Sequence, residues 1–220
     1  MKGPMELKTK RLLLRPLSDE ALAARLAEEN DPGMRAALKE MLAGSRAQPG
    51  QRLWHTLWEM AQQQGGAAVG SFCFHGAPMN GAVEIGYGVE AEFRGRGYAQ
   101  EAVRAAANWA FGQQDVYWLE AEAAPDNAPS LHLLEKLGFV RCGEGEEGPR
   151  FSLEKPAPAN SALFMCLFTG LGISFGVSFH HLGLGLSLGA AAGLVLGTAL
   201  DAADRQRRAE LKAQREGRST

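Results

Sequence analysis

The chain has 220 residues, with 23 basic and 25 acidic side chains and a formal net charge of −2. That balance excludes a generic polyanion binder, because no bulk positive field is available to hold nucleic acid. Every charged residue lies outside 161–200, so a charged part large enough for one full core is followed by a segment that avoids charge.

Leu7 to Leu14 alternates and predicts a first strand, stopped by Pro16. Ser18 or Asp19 is placed to cap a helix from about Glu20 to Glu29. A helical pattern returns over 34–42, after the Asp31-Pro32-Gly33 break. Gln51 to Gln63 carries Leu53, Trp54, Leu57 and Trp58 at helical spacing and predicts a further helix, ended by Gly65-Gly66. Two strand-like runs follow, Ala67 to His75 and Val83 to Val89, joined by a turn containing Asn80-Gly81. Gln100 to Phe111 predicts a helix with Gly112 as its stop. Tyr117 to Ala123 reads as a strand, Ala128 to Leu137 as a short helix, and Phe139 to Cys142 and Arg150 to Leu153 as final strands. The order predicts a mixed α/β domain over 1–155, with a linker at 156–160.

Two segments carry chemistry. Val83 to Val89 runs into Arg94-Gly95-Arg96-Gly97-Tyr98-Ala99, a glycine-rich turn that opens a helix. Unpaired N–H groups at a helix start form an anion site, and glycine lets a phosphate approach the main chain. The P-loop ending Gly-Lys-Ser/Thr and the Rossmann fingerprint are both absent from this turn. The second segment is Asn127-Ala128-Pro129-Ser130-Leu131-His132-Leu133-Leu134-Glu135-Lys136-Leu137-Gly138-Phe139.

Together these resemble the GNAT superfamily of acetyl-CoA-dependent N-acetyltransferases. Arg94-x-x-Gly97-x-Ala99 matches its acyl-CoA motif, and the segment from Asn127 to Phe139 resembles the ribosomal-protein N-terminal acetyltransferase branch. So does the opening Leu12-Leu13-Leu14-Arg15-Pro16-Leu17. The resemblance implies a mostly antiparallel central sheet flanked by helices, with acetyl-CoA as co-substrate and no metal. It implies that main-chain N–H groups over Arg94, Gly95, Arg96, Gly97, Tyr98 and Ala99 hold the CoA pyrophosphate. Pantetheine is expected between two splayed strands, pairing with the chain near Val89. Transfer to the amine is expected to be direct, with an N–H near Gly88 or Val89 facing the oxyanion. Glu84 is the favoured base, with Glu120 and Glu122 as fallbacks on the same face. Asn127 is expected to bond pantetheine or substrate, or else to cap its helix. Ser130 is expected to donate a proton to the thiolate, or else to be a first-turn hydroxyl.

Other residues read as structural. His55, His75 and His132 are scattered without metal spacing, and Cys73, Cys142 and Cys166 read as reduced thiols. Trp54 and Trp58 read as core, or as an acceptor-pocket wall. The acidic turn with Glu144, Glu146 and Glu147 reads as a solvated loop. The opening residues carry too short an apolar run for a signal peptide.

Residues 161–200 in one helix would extend about 60 Å, twice a hydrocarbon core of roughly 30 Å. Two spans, Ser161 to Phe179 and Leu182 to Leu200, fit better, with His180-His181 at the turn. Gly172 and Gly176, then Gly185, Gly189, Gly193 and Gly197, fall four apart. That spacing suits close helix packing in a bilayer and would cost about 1 kcal/mol per glycine in a soluble helix. Arg205, Arg207 and Arg208 follow, in a basic tail over 201–220 that favours the cytoplasmic side. The expected partners are therefore an amine, either a small molecule or a protein N-terminus, and the cytoplasmic membrane. Self-association through the glycine-patterned helices is a further expectation, and no nucleic acid is expected. The alternative function is a membrane-tethered CoA-binding sensor with weak or no transferase activity.

Overall fold

The structure is a computed structural model that describes residues 5–216. It divides into two units, one ending at Lys155 and one beginning at Pro156.

The first unit is built on an eight-stranded sheet in the order β1-β2-β3-β4-β5-β6-β8-β7. The expected first strand is a hairpin of β1 (Leu7–Lys8) and β2 (Leu12–Pro16), with Leu7 opposite Leu14. Thr9 makes the turn, its hydroxyl oxygen accepting from the Leu12 N–H at 2.8 Å. α1 (Asp19–Glu28) starts where Ser18 accepts from the Ala21 N–H at 3.2 Å. α2 (Pro32–Ala47) is longer than its sequence pattern, capped by Asp31 with Pro32 at its first turn.

The helix expected over Gln51 to Gln63 does not form. Pro49–Trp54 is a 3₁₀ turn, and Leu57–Gln62 is β3, paired with β2 and with β4 (Ala68–Phe74). Leu57, Trp58, Met60 and Ala61 are all buried, so this strand is covered on both faces. Its apolar run therefore shows no alternation, and periodicity alone cannot separate it from a helix. Trp54 and Trp58 still meet, since both rings pack on Trp109, at 4.7 and 5.5 Å between centroids.

β5 (Ala82–Val89) runs antiparallel to β4. After α3 (Tyr98–Phe111), β6 (Trp118–Glu122) returns parallel to β5. α4 (Ala128–Lys136) leads to β7 (Val140–Glu144) and β8 (Pro149–Glu154), and β8 lies against β6. The main core joins Trp58, Phe72, Phe74, Val83 and Ile85 of the sheet to the alanine-rich face of α3 and to Leu134 of α4. The alternate side chains Leu57 and Cys73 face the other way, into a second cluster with Leu22, Leu38, Met41 and Leu42 of α1 and α2.

The second unit pairs α5 (Asn160–Ser178) with α6 (Leu182–Glu216), both long and apolar enough to cross a membrane. Gly172 meets Gly185, Gly189 meets Phe168, Gly193 meets Phe164, and Gly197 meets Ser161. The helices are thus antiparallel, and the glycine stripe is occupied by the contact within the hairpin. Phe175, Phe179, Leu188 and Val195 are exposed. The expected separate basic tail is helical through Glu216, continuous with α6.

Candidate active site

β5 and β6 pair only at Ala82 with Trp118, Val83 with Leu119 and Glu84 with Glu120. Beyond Glu84 the strands part, leaving the last five residues of β5 without a ladder to β6. A cleft of about 750 Å³ opens beside this stretch, walled by Tyr87, Gly88 and Val89 on one side and by Asn127, Ser130 and Leu133 of α4 on the other.

The glycine-rich turn closes one end of the cleft. Gly97 precedes α3 with φ 77°, a left-handed value that favours glycine. The first-turn N–H groups from Tyr98 onward have no helical partner of their own. Arg94, Gly95, Gly97, Tyr98 and Ala99 all line the cleft, and Arg94 braces its rim by donating to the Val89 carbonyl at 3.1 Å. The cleft thus pairs an anion-facing helix start with an exposed strand edge, which suits a ligand with a phosphate at one end and amides along its length.

Not every expected contact is of one kind. Arg96 is outside the lining and is turned back on its own loop, donating to the Glu92 carbonyl at 3.0 Å and lying over Phe93. Tyr98 offers main chain only, because its ring is buried and its hydroxyl accepts from Gln62 at 2.6 Å. Asn127 caps α4, its Oδ1 accepting from the Ser130 N–H at 3.2 Å. The cap uses the carbonyl end, so a ligand would meet the NH2 end.

The carboxylates sit on the face of the sheet that carries α1 and α2. Glu84 and Glu120 are neighbours at the fork. Glu122 is held by Arg150 at 2.5 and 2.8 Å and by the Glu147 N–H at 3.1 Å. Burial works to raise its carboxyl, but these bonds outweigh that and leave it below the ordinary value. Glu122 therefore serves as an anchor for β8 and the 145–148 turn, a poor position for a base.

Two residues enter the site that were given no role in it from the sequence: Tyr87, and His75, which read as structural. The Tyr87 side chain follows the Val89 side of β5, toward α4. Its hydroxyl is buried beside Ser130 without meeting hydrogen-bond geometry, and burial pushes it above the ordinary value. His75 follows β4, with Nδ1 3.3 Å from Glu84 Oε1. It is raised to about 10, first by the Cys73 thiol and then by Glu84, with burial opposing. Period-two alternation on β5 carried the signal for Tyr87. The signal for His75 was its place opposite Glu84, visible only once β4 and β5 are in register.

A family model described as an acetyltransferase (GNAT) domain matches residues 11–140. The N-acetyltransferase YjdG of Bacillus subtilis (strain 168) is 36% identical over 84 residues, covering 38% of this chain and 50% of that protein. The N-acetyltransferase p20 of Bacillus licheniformis is 38% identical over 64 residues, covering 29% of this chain and 36% of that protein. The chain thus spans half or less of the length of these relatives. Among solved structures, an acetyltransferase from Agrobacterium tumefaciens superposes with a TM-score of 0.54 at 22% identity, over 70% of this chain and 97% of that one. A ribosomal-protein-serine acetyltransferase from Vibrio cholerae superposes with a TM-score of 0.53 at 18% identity, over 70% and 100%. RimL, a ribosomal alpha-N-protein acetyltransferase in complex with coenzyme A, gives a TM-score of 0.51 at 17% identity, over 68% and 98%.

Proposed function

We propose a function for this chain on the ground that it belongs to the GNAT acetyltransferase family. The reading is transfer of an acetyl group from acetyl-CoA to a primary amine, by direct attack within a ternary complex. The observation that carries it is the fork between β5 and β6, with an anion-facing helix start at one end. The pyrophosphate would be held by N–H groups of Gly97, Tyr98 and Ala99, with Arg94 at the rim. Pantetheine would lie along β5 at Gly88 and Val89, meeting the NH2 of Asn127. Coenzyme A bound to RimL supports this choice of co-substrate.

The amine arrives as an ammonium and must lose a proton before it attacks. Glu84 at the fork receives that proton, on the face opposite the cleft wall. A β5 N–H beyond the fork faces the developing oxyanion. The CoA thiolate needs a proton as it departs. Ser130 and the Tyr87 hydroxyl stand together on the cleft wall and supply the donor, with Tyr87 kept protonated by its burial.

The acceptor is a primary amine, on a small molecule or a protein N-terminus. The α5–α6 hairpin would insert in the cytoplasmic membrane, with its outward apolar side chains in lipid. Nineteen residues in α5 extend about 28 Å, close to a hydrocarbon core.

Incubating the purified chain with acetyl-CoA and a panel of amines and peptides, and reading product mass, tests the transferase. Coenzyme A binding without turnover on any amine would favour the sensor reading instead. Carbonate extraction of expressing cells tests the hairpin, which must stay in the membrane pellet.

A further inference from the structure

Glu84 stands at the fork with a titratable neighbour on each side. On β6 its partner in register is Glu120, a like charge on the same face of the sheet. On the other side is His75, just past the end of β4, which is tied to it twice. The His75 backbone N–H donates to the Glu84 carbonyl at 2.9 Å, and Nδ1 lies 3.3 Å from Oε1. Among the described residues, His75 is the one ion-pair partner of the Glu84 carboxylate. Arg150 on β8 is taken by Glu122.

The Glu84 side chain is 33% exposed, and a glutamate with three rotatable bonds is not held by such partial packing alone. A cation on the β4 side and a like charge on the β6 side both bias the carboxylate toward His75. The imidazole is itself seated. A Cβ at Gly86 would stand 2.8 Å from His75 Nε2, so the ring occupies room that glycine leaves two residues beyond Glu84. The backbone bond sets the root of the ring, and the bare backbone at Gly86 receives its tip. The His75 value of about 10 makes the ring a cation at neutral pH.

The place of this pair gives it consequence. Glu84 is the last residue of β5 paired with β6, so a carboxylate fixed here stands where the strands open toward an acyl-CoA lying along β5. The ion pair engages Oε1, and Oε2 is left to take a proton. A reacting group misplaced by about 1 Å can lose roughly a hundredfold in rate.

We propose that His75 is the positioning residue of the Glu84 base, holding the carboxylate at the mouth of the fork through Oε1 so that Oε2 receives the proton of the acceptor amine. An N–H bond of the ammonium breaks, the proton passes to Oε2, and the electron pair stays on nitrogen for attack on the thioester carbonyl. The imidazolium keeps its own proton throughout and takes no part in the transfer. The proposal rests on Glu84 as the base, and one arm of its test addresses that reading alone.

The full chain in detergent is given acetyl-CoA with butylamine, or with a peptide that begins in alanine, and release of coenzyme A is followed. Glu84→Gln is expected to lower kcat about a hundredfold, the lower end of the range for a lost general base. His75→Ala is expected to lower kcat toward the roughly hundredfold loss of a misplaced group, with the KM for acetyl-CoA unchanged. His75→Asn sets its amide nitrogen near the place of Nδ1 and should recover most of that loss. His75→Gln sets its amide nearer the place of Nε2 and should not. In a Glu84→Gln background, His75→Ala should cost nothing further, because a positioning residue acts only through the group it holds. A residue that serves the fold alone would add its loss in both backgrounds, and that result overturns the proposal. Full activity in His75→Ala, or equal loss in His75→Asn and His75→Gln, also overturns it, while a slow Glu84→Gln leaves the base reading standing. Unchanged kcat in Glu84→Gln, or turnover of neither acceptor, removes the base reading and the proposal with it.

Discussion

Arg11 and Glu101 join the first turn of the sheet to the first turn of α3: Nε of Arg11 lies 2.7 Å from Oε2 of Glu101. The same carboxylate accepts from the Thr9 hydroxyl at 2.5 Å and from the Arg11 N–H at 2.7 Å. Arg11 Nη1 also donates to the Arg96 carbonyl at 3.0 Å, inside the glycine-rich turn. Burial alone would raise Glu101, but these bonds outweigh it and hold the carboxyl below its ordinary value. Glu101→Gln should therefore loosen the turn, costing about 1 kcal/mol of stability as a charged hydrogen-bond acceptor is lost. Titration with coenzyme A should show affinity lowered several-fold, and an unchanged affinity would uncouple the turn from this pair.

Gly97 should tolerate no side chain. At φ 77° an L-residue meets a penalty of roughly 1–2 kcal/mol, and relief of that strain would re-aim the first N–H groups of α3. Gly97→Ala is expected to weaken coenzyme A binding by more than it lowers the unfolding midpoint. Isothermal titration beside denaturant unfolding separates the two effects.

On the proposed reading, the departing thiolate takes its proton from the Tyr87 and Ser130 hydroxyls. Tyr87→Phe should lower kcat by about a hundredfold, the lower end of the range for a lost proton donor, and leave the KM for acetyl-CoA near its original value. Ser130→Ala should act in the same direction, and the double variant should fall short of additive, because the two hydroxyls serve one atom. Steady-state kinetics on any accepted amine gives the comparison.

Stability should vary with pH through His75. Its folded-state value, about 10, lies above the 6.5 of an unperturbed histidine. The protonated form therefore contributes in full below about pH 6.5, and the contribution is lost as pH rises through about 10. Unfolding midpoints of the parent and His75→Gln should converge as pH rises across that window. A difference that stays constant from about pH 6 to 11 would mean that the ring takes no proton on folding.

The hairpin should be sensitive at its glycines. A Cβ at Gly193 would stand 2.7 Å from the Met165 Cα, so Gly193→Val must push the helices apart. Cysteine pairs placed across α5 and α6 should crosslink in the parent and lose that crosslink in the variant. Membrane retention should persist, since the outward apolar surface is untouched.

Most of the first unit was legible because its elements carry local marks. Ser18 and Gly112 announced helix ends, and the turn from Arg94 to Ala99 announced its helix. Gln51 to Gln63 was misread because burial on both faces of β3 erases the alternation that marks a strand. The walls of the candidate cleft were legible where they are set locally, at Gly97 and Asn127. The site was opaque where chemistry depends on register across strands. His75 and Glu84 are nine positions apart along the chain, and only the β4–β5 ladder makes them partners. Glu122 passed as a possible base because its captor, Arg150, lies on a strand near the end of the domain.

Asp201 gives the second unit a fixed polar end. Its carboxylate accepts from the N–H groups of Asn160 and Ser161 at 3.2 and 3.1 Å, so it caps the start of α5 from the point where α6 leaves its apolar stretch. The entry and the exit of the hairpin are thereby held at one height, and neither helix can slide past the other without uncovering the cap. A bilayer receiving this hairpin would meet one polar boundary, set by a single carboxylate.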